Sequence, residues 1–321
     1  MDLEDKNILI TGSDGFVGSH LVERFLEENC KVRAFVFYNS FNKWGWLDSL
    51  EKEQLSKINV ITGDIRDYNM VNKAAKGVDI VCHLAALIGI PYSYVAPESY
   101  IDTNVKGTLN VIQAAKINNV KKVIITSTSE TYGSALYVPI DEKHPYQPQS
   151  PYSASKIAAD AIALSYYSSF NTPVSIIRPF NIYGPRQSAR AVIPTIVTQI
   201  LQKTDQIELG NLTSTRDFTY VKDTCEAYVK SIITDNIEGE IINIGNSKEI
   251  SIKDLAEKIK DLMHSNAEIK SRTERKRIKS SEVNRLNADN SKALRLINWK
   301  PIYSLDDGLK LTIEWFSKKG N

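Results

Sequence analysis

The chain has 321 residues, 42% of them hydrophobic and 24% charged, a composition that excludes long-range disorder and collagen-like or coiled-coil structure. Forty lysines and arginines against 38 acids leave a formal net charge of +2, which argues against a whole-surface nucleic-acid or membrane binder. Three scattered cysteines, Cys30, Cys82 and Cys225, exclude a disulfide scaffold, and with no Cys/His cluster no metal site is expected. The opening MDLEDKNILITG is acidic and passes straight into a strand pattern, so it does not read as a signal peptide. The most apolar stretch, 78–96, is interrupted by Asp79, His83 and Pro91 and does not read as a membrane span. A reducing cytoplasm is the expected location.

In chain order, strands are predicted over 7–11, 32–37, 59–62, 79–84, 122–127 and 174–178. Helical patterns lie between them, among others over 16–28, 98–118 and 151–170. The strand runs are rich in Val and Ile and apolar on both faces, as parallel strands covered by helices are. This predicts an α/β fold with a doubly wound parallel Rossmann sheet and a smaller mixed α/β substrate domain. After Arg178 proline and glycine cluster, later elements shorten, and 239–245 reads as one more strand. The expected division is 1–177 with 222–246 for the dinucleotide and 178–221 with 247–321 for the substrate.

The turn Thr11-Gly12-Ser13-Asp14-Gly15-Phe16-Val17-Gly18 follows a strand and opens a helix. Its glycines would let the backbone approach a pyrophosphate seated on the helix N-terminus. The second strand ends Phe37-Tyr38-Asn39-Ser40, with neither the usual ribose-binding acid nor an arginine. Asn39 or Ser40 could hydrogen-bond a ribose or its phosphate, so NAD and NADP both stay open. Asp64, beside Ile65 after the third strand, is a candidate for the adenine amino group.

Tyr152 and Lys156 stand at i and i+4 on one helix face. An ammonium near a phenol favours the phenolate, which could then take a hydroxyl proton. Thr128, Ser129 and Glu130 follow the fifth strand, at the sheet edge where open parallel sheets bind ligands.

These three motifs, together with His83-Leu84-Ala85-Ala86, Asn104-Val105-Lys106-Gly107-Thr108 and Arg178-Pro179-Phe180-Asn181-Ile182-Tyr183-Gly184-Pro185-Arg186, resemble the extended short-chain dehydrogenase/reductase superfamily. The resemblance implies a nicotinamide cofactor and a nucleotide-sugar substrate. It also implies a homodimer built on the helices at 98–118 and 151–170, and cofactor contacts from Leu84, Ala85, Ala86 and Asn104. Thr-Ser-Glu at 128–130 resembles the nucleotide-sugar 4,6-dehydratases, with Ser129 where glucose dehydratases carry Asp. UDP-glucuronate decarboxylases also show it, and 4-epimerases usually lack the Glu. Residues 149–196 are most similar to the dehydratase of legionaminic acid biosynthesis.

By that resemblance Tyr152 takes the 4-OH proton, Lys156 holds the cofactor ribose, Thr128 binds O4 and Glu130 takes the C5 proton. Asn181, Arg190, Arg216, Arg277 and Glu282 would hold the nucleotide sugar. Residues 277–283 are similar to a ribose-holding segment of GDP-mannose dehydratases, which leans toward a GDP-sugar, with UDP as the other candidate.

Overall fold

The computed structural model describes residues 2–275 and 278–319. Its strands in chain order are β1 (Asn7–Thr11), β2 (Lys31–Phe37), β3 (Ile58–Gly63), β4 (Ile80–His83), β5 (Lys122–Thr126) and β6 (Val174–Pro179), followed by β7 (Asn181–Tyr183), β8 (Gln206–Leu209), β9 (Thr215–Tyr220), β10 (Ile241–Ile244), β11 (Glu249–Ser251) and β12 (Glu268–Ser271). Seven of them form one sheet in the order β10-β6-β5-β4-β1-β2-β3, every neighbouring pair parallel. Burial on both faces explains the uninterrupted apolar runs: β4 and β6 have no exposed residue. The chain order reverses between β1 and β4, and a crevice opens there at the carboxyl ends of the strands.

The predicted helix over 151–170 is present as Pro151–Phe170, capped by a reciprocal Ser150–Ser153 box. The helix expected over 98–118 is divided. A short helix at Pro97–Tyr100 leads into a π-helical turn, Ile101–Lys106, and only then into Gly107–Ile117. Gly107 lies so close to the loop after β3 that a Cβ there would stand 2.6 Å from Ile65 Cδ1. A widened turn just before a close contact shifts the phase of the helix, which apolar spacing alone does not predict.

The remaining strands form two small sheets, β11-β9-β7 and β12-β8, beside the carboxyl edge of the large one. Two buried aspartates tie these parts together through backbone N–H groups. Asp217 accepts from Asn246, Ser247 and Ala288 at 2.8, 2.8 and 3.1 Å, and burial still pushes its carboxyl up to about 6. Asp223 accepts from Ile302 and Tyr303 at 3.0 and 3.1 Å. Trp299, fully buried, donates its indole N–H to the Asp223 carbonyl at 2.8 Å, so the tryptophan is a packing residue. Among the described residues no helix is long and apolar enough to cross a membrane.

Candidate active site

The glycine turn is shaped by close approach. Gly12 has φ +72°, and a Cβ there would lie 2.8 Å from the Ala85 nitrogen; one on Gly18 would lie 2.0 Å from the Gly12 carbonyl oxygen. Gly15 caps the helix Phe16–Glu27 without any side-chain hydrogen bond. The first-turn N–H groups, at Phe16, Val17 and Gly18, have no acceptor within the helix, which suits them to phosphate oxygens.

Across the crevice one hydrogen-bond chain links this turn to β4 and to the catalytic helix. Thr11 Oγ1 accepts from the Leu84 and Ala85 N–H groups at 3.1 and 3.2 Å and lies 2.7 Å from His83 Nδ1. His83 Nε2 lies 3.0 Å from Thr108 Oγ1, whose hydroxyl donates to the Asn104 carbonyl at 2.6 Å. That last donation leaves Thr108 Oγ1 to accept from His83, so the imidazole carries its proton on Nε2. Burial, with the charge of Lys156, takes His83 down to about 3 and keeps it neutral.

Four cofactor candidates already have partners within the protein. Asn104 spends its amide inside the protein: it donates to the Leu87 carbonyl and to Ser155 Oγ at 2.9 Å each and accepts from the Leu87 N–H at 2.8 Å. It therefore clamps the 84–87 loop to the catalytic helix. Asn39 builds its own loop, donating to the Lys43 carbonyl at 2.7 Å and accepting from Phe41 N–H at 3.1 Å, while Ser40 beside it is exposed. The Asp64 carboxylate is engaged by Arg66, which lowers its pKa, and Ile65 is buried against Gly107. Leu84, Ala85 and Ala86 line the crevice half-buried.

The catalytic candidates converge. Thr128 caps a one-turn 3₁₀ helix, Ser129–Tyr132, and accepts the Glu130 N–H at 3.3 Å. The Thr128 side chain also hydrogen-bonds Tyr152, and the Glu130 carboxylate is near enough to oppose ionisation of that phenol. Burial is the largest influence on Tyr152 and, with Glu130, Tyr100 and Asp160, holds its pKa well above that of free tyrosine. Ser129 is buried behind this group. Lys156 donates to the Thr126 carbonyl at 2.6 Å, and burial lowers its pKa, Asp160 opposing and Arg178 adding to the effect. The ammonium is thus turned to the end of β5, and burial keeps the phenol protonated.

Sequence reasoning missed the support beneath this pair. Arg178, fully buried, donates to Asp160 at 2.8 Å, Tyr132 at 2.7 Å, Tyr146 at 3.1 Å and Ser127 at 3.3 Å. Ser127 also donates to Asp160 at 2.5 Å. The available signals were a charged residue ending an apolar strand and an acid four residues after Lys156. Removing one partner of a buried ion pair leaves an uncompensated charge. Arg178→Met should therefore cost about 3–5 kcal/mol in urea unfolding, and the double change with Asp160→Leu should recover most of it. A single-variant loss under about 1 kcal/mol would contradict this network's role. Tyr100 was missed as well: its ring meets that of Tyr152 edge-on, centroids 6.2 Å apart.

The substrate candidates come from several separate elements. Asn181, on β7, keeps its Oδ1 buried with no hydrogen-bond partner. Arg216, on β9, is buried and pairs with Glu282 at 3.4 Å, so two candidates 66 residues apart meet. Arg190 is exposed in the turn before the helix Val192–Leu201, and Arg277 lies outside the described residues. Tyr94 Oη and Ser281 Oγ stand 2.5 Å apart, joining the helix Ile90–Val95 to the 279–281 turn. Cavities of about 430 and 510 Å³, around His264 and around Tyr303, share none of these residues.

A seven-stranded parallel sheet with its chain order reversing at β1, a Tyr–Lys helix and a smaller second unit define an enzyme of the extended short-chain dehydrogenase/reductase class. Within that class the chain belongs to the GDP-mannose 4,6 dehydratase family, which it matches over residues 9–312. It is 34% identical to a UDP-N-acetyl-alpha-D-glucosaminuronate decarboxylase of Bacillus cytotoxicus, covering 98% of this chain and 99% of that one. The UDP-glucuronic acid 4-epimerase of Bacillus cereus, solved with UDP-glucuronic acid and NAD, superposes with a TM-score of 0.89 at 30% identity, covering 98% of this chain and 99% of that one. The dTDP-glucose 4,6-dehydratase DesIV of Streptomyces venezuelae, solved with NAD, gives 0.86 at 28%, covering 97% of each chain. The relatives thus include dehydratases, epimerases and decarboxylases of nucleotide sugars.

Proposed function

We propose that this protein is an NAD-dependent nucleotide-sugar 4,6-dehydratase, acting on a GDP- or UDP-linked N-acetylglucosamine and yielding the 4-keto-6-deoxy sugar. The observation that carries the reading is the placement of Glu130 against Thr128 and Tyr152. C4 oxidation needs only the phenol, whereas elimination needs a second proton-transfer group within reach of C5 and C6. The Glu130 carboxylate, whose charge opposes ionisation of Tyr152, would add repulsion against a uronate carboxylate, so a neutral hexose suits the site better. The resemblance of residues 149–196 to the legionaminic acid dehydratase is consistent with that sugar.

The residues that would hold NAD are the Gly12–Gly18 turn, the 84–86 loop and Lys156. The turn's room for backbone approach, where no Cβ fits on Gly12 or Gly18, supports this assignment. When bound, NAD accepts the hydrogen of C4 with its electron pair and later returns it at C6. Tyr152 removes the 4-OH proton, with Thr128 holding O4. The resulting ketone acidifies C5–H, and Glu130 takes that proton. Protonated Glu130 then hands it to O6, which leaves as water, and on hydride return to C6 the proton taken from the 4-OH is delivered to C5. Ser129, a poor acid and buried, positions this turn. The diphosphate would take Arg216 and Arg190 and the nucleotide ribose Arg277 and Glu282, with Asn181 Oδ1 accepting from the ligand.

Mixing the purified protein with GDP- and UDP-N-acetylglucosamine and with UDP-glucuronate tests the reaction. Loss of one water from an N-acetylglucosamine nucleotide is the expected mass change. Release of carbon dioxide from the uronate, or an isomer of unchanged mass, would replace this reading with decarboxylation or epimerisation. We also propose a homodimer through the helices Gly107–Ile117 and Pro151–Phe170, whose Leu109, Ile117, Tyr167 and Phe170 are exposed.

A further inference from the structure

The second strand ends without the acid that in this fold type hydrogen-bonds the adenosine ribose 2′-OH, and Asn39 is consumed by its own loop. The structure supplies a carboxylate to the same place from another element. Asp14, inside the glycine turn, reaches the carboxyl end of β2 and accepts the Phe37 N–H on Oδ2 at 3.3 Å. Its backbone is pinned from the far side. Trp46 N–H donates to the Asp14 carbonyl at 3.0 Å, and Gly45, at φ +60°, packs so closely that a Cβ would stand 2.5 Å from that oxygen. The Trp44-Gly45-Trp46 segment thus fixes where Asp14 points, a role that no spacing in the sequence announces.

The geometry points to Asp14 as the residue that reads the cofactor's adenosine ribose, accepting from the 2′-OH of NAD and repelling the 2′-phosphate of NADP. The inference rests on the cofactor reading above. A carboxylate beside β2 does this work whether it projects from the strand or from the turn, because only its position relative to the ribose matters. Partial burial raises the Asp14 pKa, so an added hydroxyl donor there stabilises the charged form. A second phosphate dianion would instead face it across a poorly solvated gap.

A purely structural acid would hold Phe37 N–H equally well as an amide, and this separates the two roles. Asp14→Asn keeps an acceptor for that N–H but removes the charge. NAD⁺ and NADP⁺ affinities are measured by calorimetry on protein stripped of nucleotide, with thermal melting in parallel. The wild type should hold NAD⁺ at least about 100-fold more tightly than NADP⁺. In Asp14→Asn, and in Asp14→Ala, that ratio should shrink by about tenfold or more, as loss of one charged hydrogen bond implies. In Asp14→Asn the melting temperature should be unchanged. An unchanged ratio in both variants, or equal wild-type affinities, would overturn the assignment of Asp14 while leaving the enzyme class intact. Binding of neither nucleotide would overturn both.

Discussion

Glu130→Gln should still oxidise the sugar at C4 and fail to eliminate water. Reduced cofactor would then accumulate, with absorbance near that of free NADH, while the dehydrated product falls by about 10²–10⁴-fold, the usual worth of one positioned proton-transfer group. The isosteric amide keeps the shape of the 3₁₀ turn, and the Thr128 bond to the residue-130 N–H is a backbone contact that survives. A second consequence follows from charge. Glu130 opposes ionisation of Tyr152, so its neutralisation lowers the phenol pKa. The oxidation step in the variant should therefore begin at lower pH than in the wild type. Normal product formation, or loss of the C4 oxidation along with the elimination, would remove Glu130 from its assigned place.

Tyr152→Phe should abolish both steps, with a loss of about 10²–10⁴-fold or more in the rate of C4 oxidation and nucleotide-sugar binding nearly unchanged. The pH dependence carries the argument further. Burial holds Tyr152 protonated at neutral pH, so turnover should rise with pH as the phenolate forms, until the loaded site's own pKa is passed. Thr128 is the group that lowers that pKa. Thr128→Val should move the rising limb to higher pH without removing it, because a lost hydrogen bond to the phenolate raises its pKa. Lys156→Met should remove cofactor affinity and rate together. A pH profile identical in wild type and Thr128→Val would show that Thr128 does not act on the phenol. Lys156 is not among the groups that lower the Tyr152 pKa; its ammonium is drawn to the Thr126 carbonyl.

Similar logic applies to the support beneath the pair. Asp160 lies one helical turn beyond Lys156 and acts on both members, raising each pKa. Arg178 offsets this at Lys156. Burial dominates at both residues, and this buried pair adjusts their charge state from beneath.

The sequence by itself determined what repeats along the chain. Apolar runs with no polar face define parallel strands, and the glycine turn at 12–18 and the Tyr152/Lys156 pair carry their chemistry in their spacing. These are local signals, because strand burial, turn geometry and i,i+4 proximity need only neighbouring residues. Tertiary structure alone decided which polar groups remain available. Asn104 and Asn39 hydrogen-bond Leu87, Ser155, Lys43 and Phe41 in the fold. Asp14 looks like a turn former and is carried to the end of β2. Arg178 finds Asp160, Tyr132 and Tyr146, and Arg216 finds Glu282, across separations that carry no period. A hydrogen bond is specified by atoms within about 3 Å of each other, and the chain brings such atoms together only when strands and helices have packed.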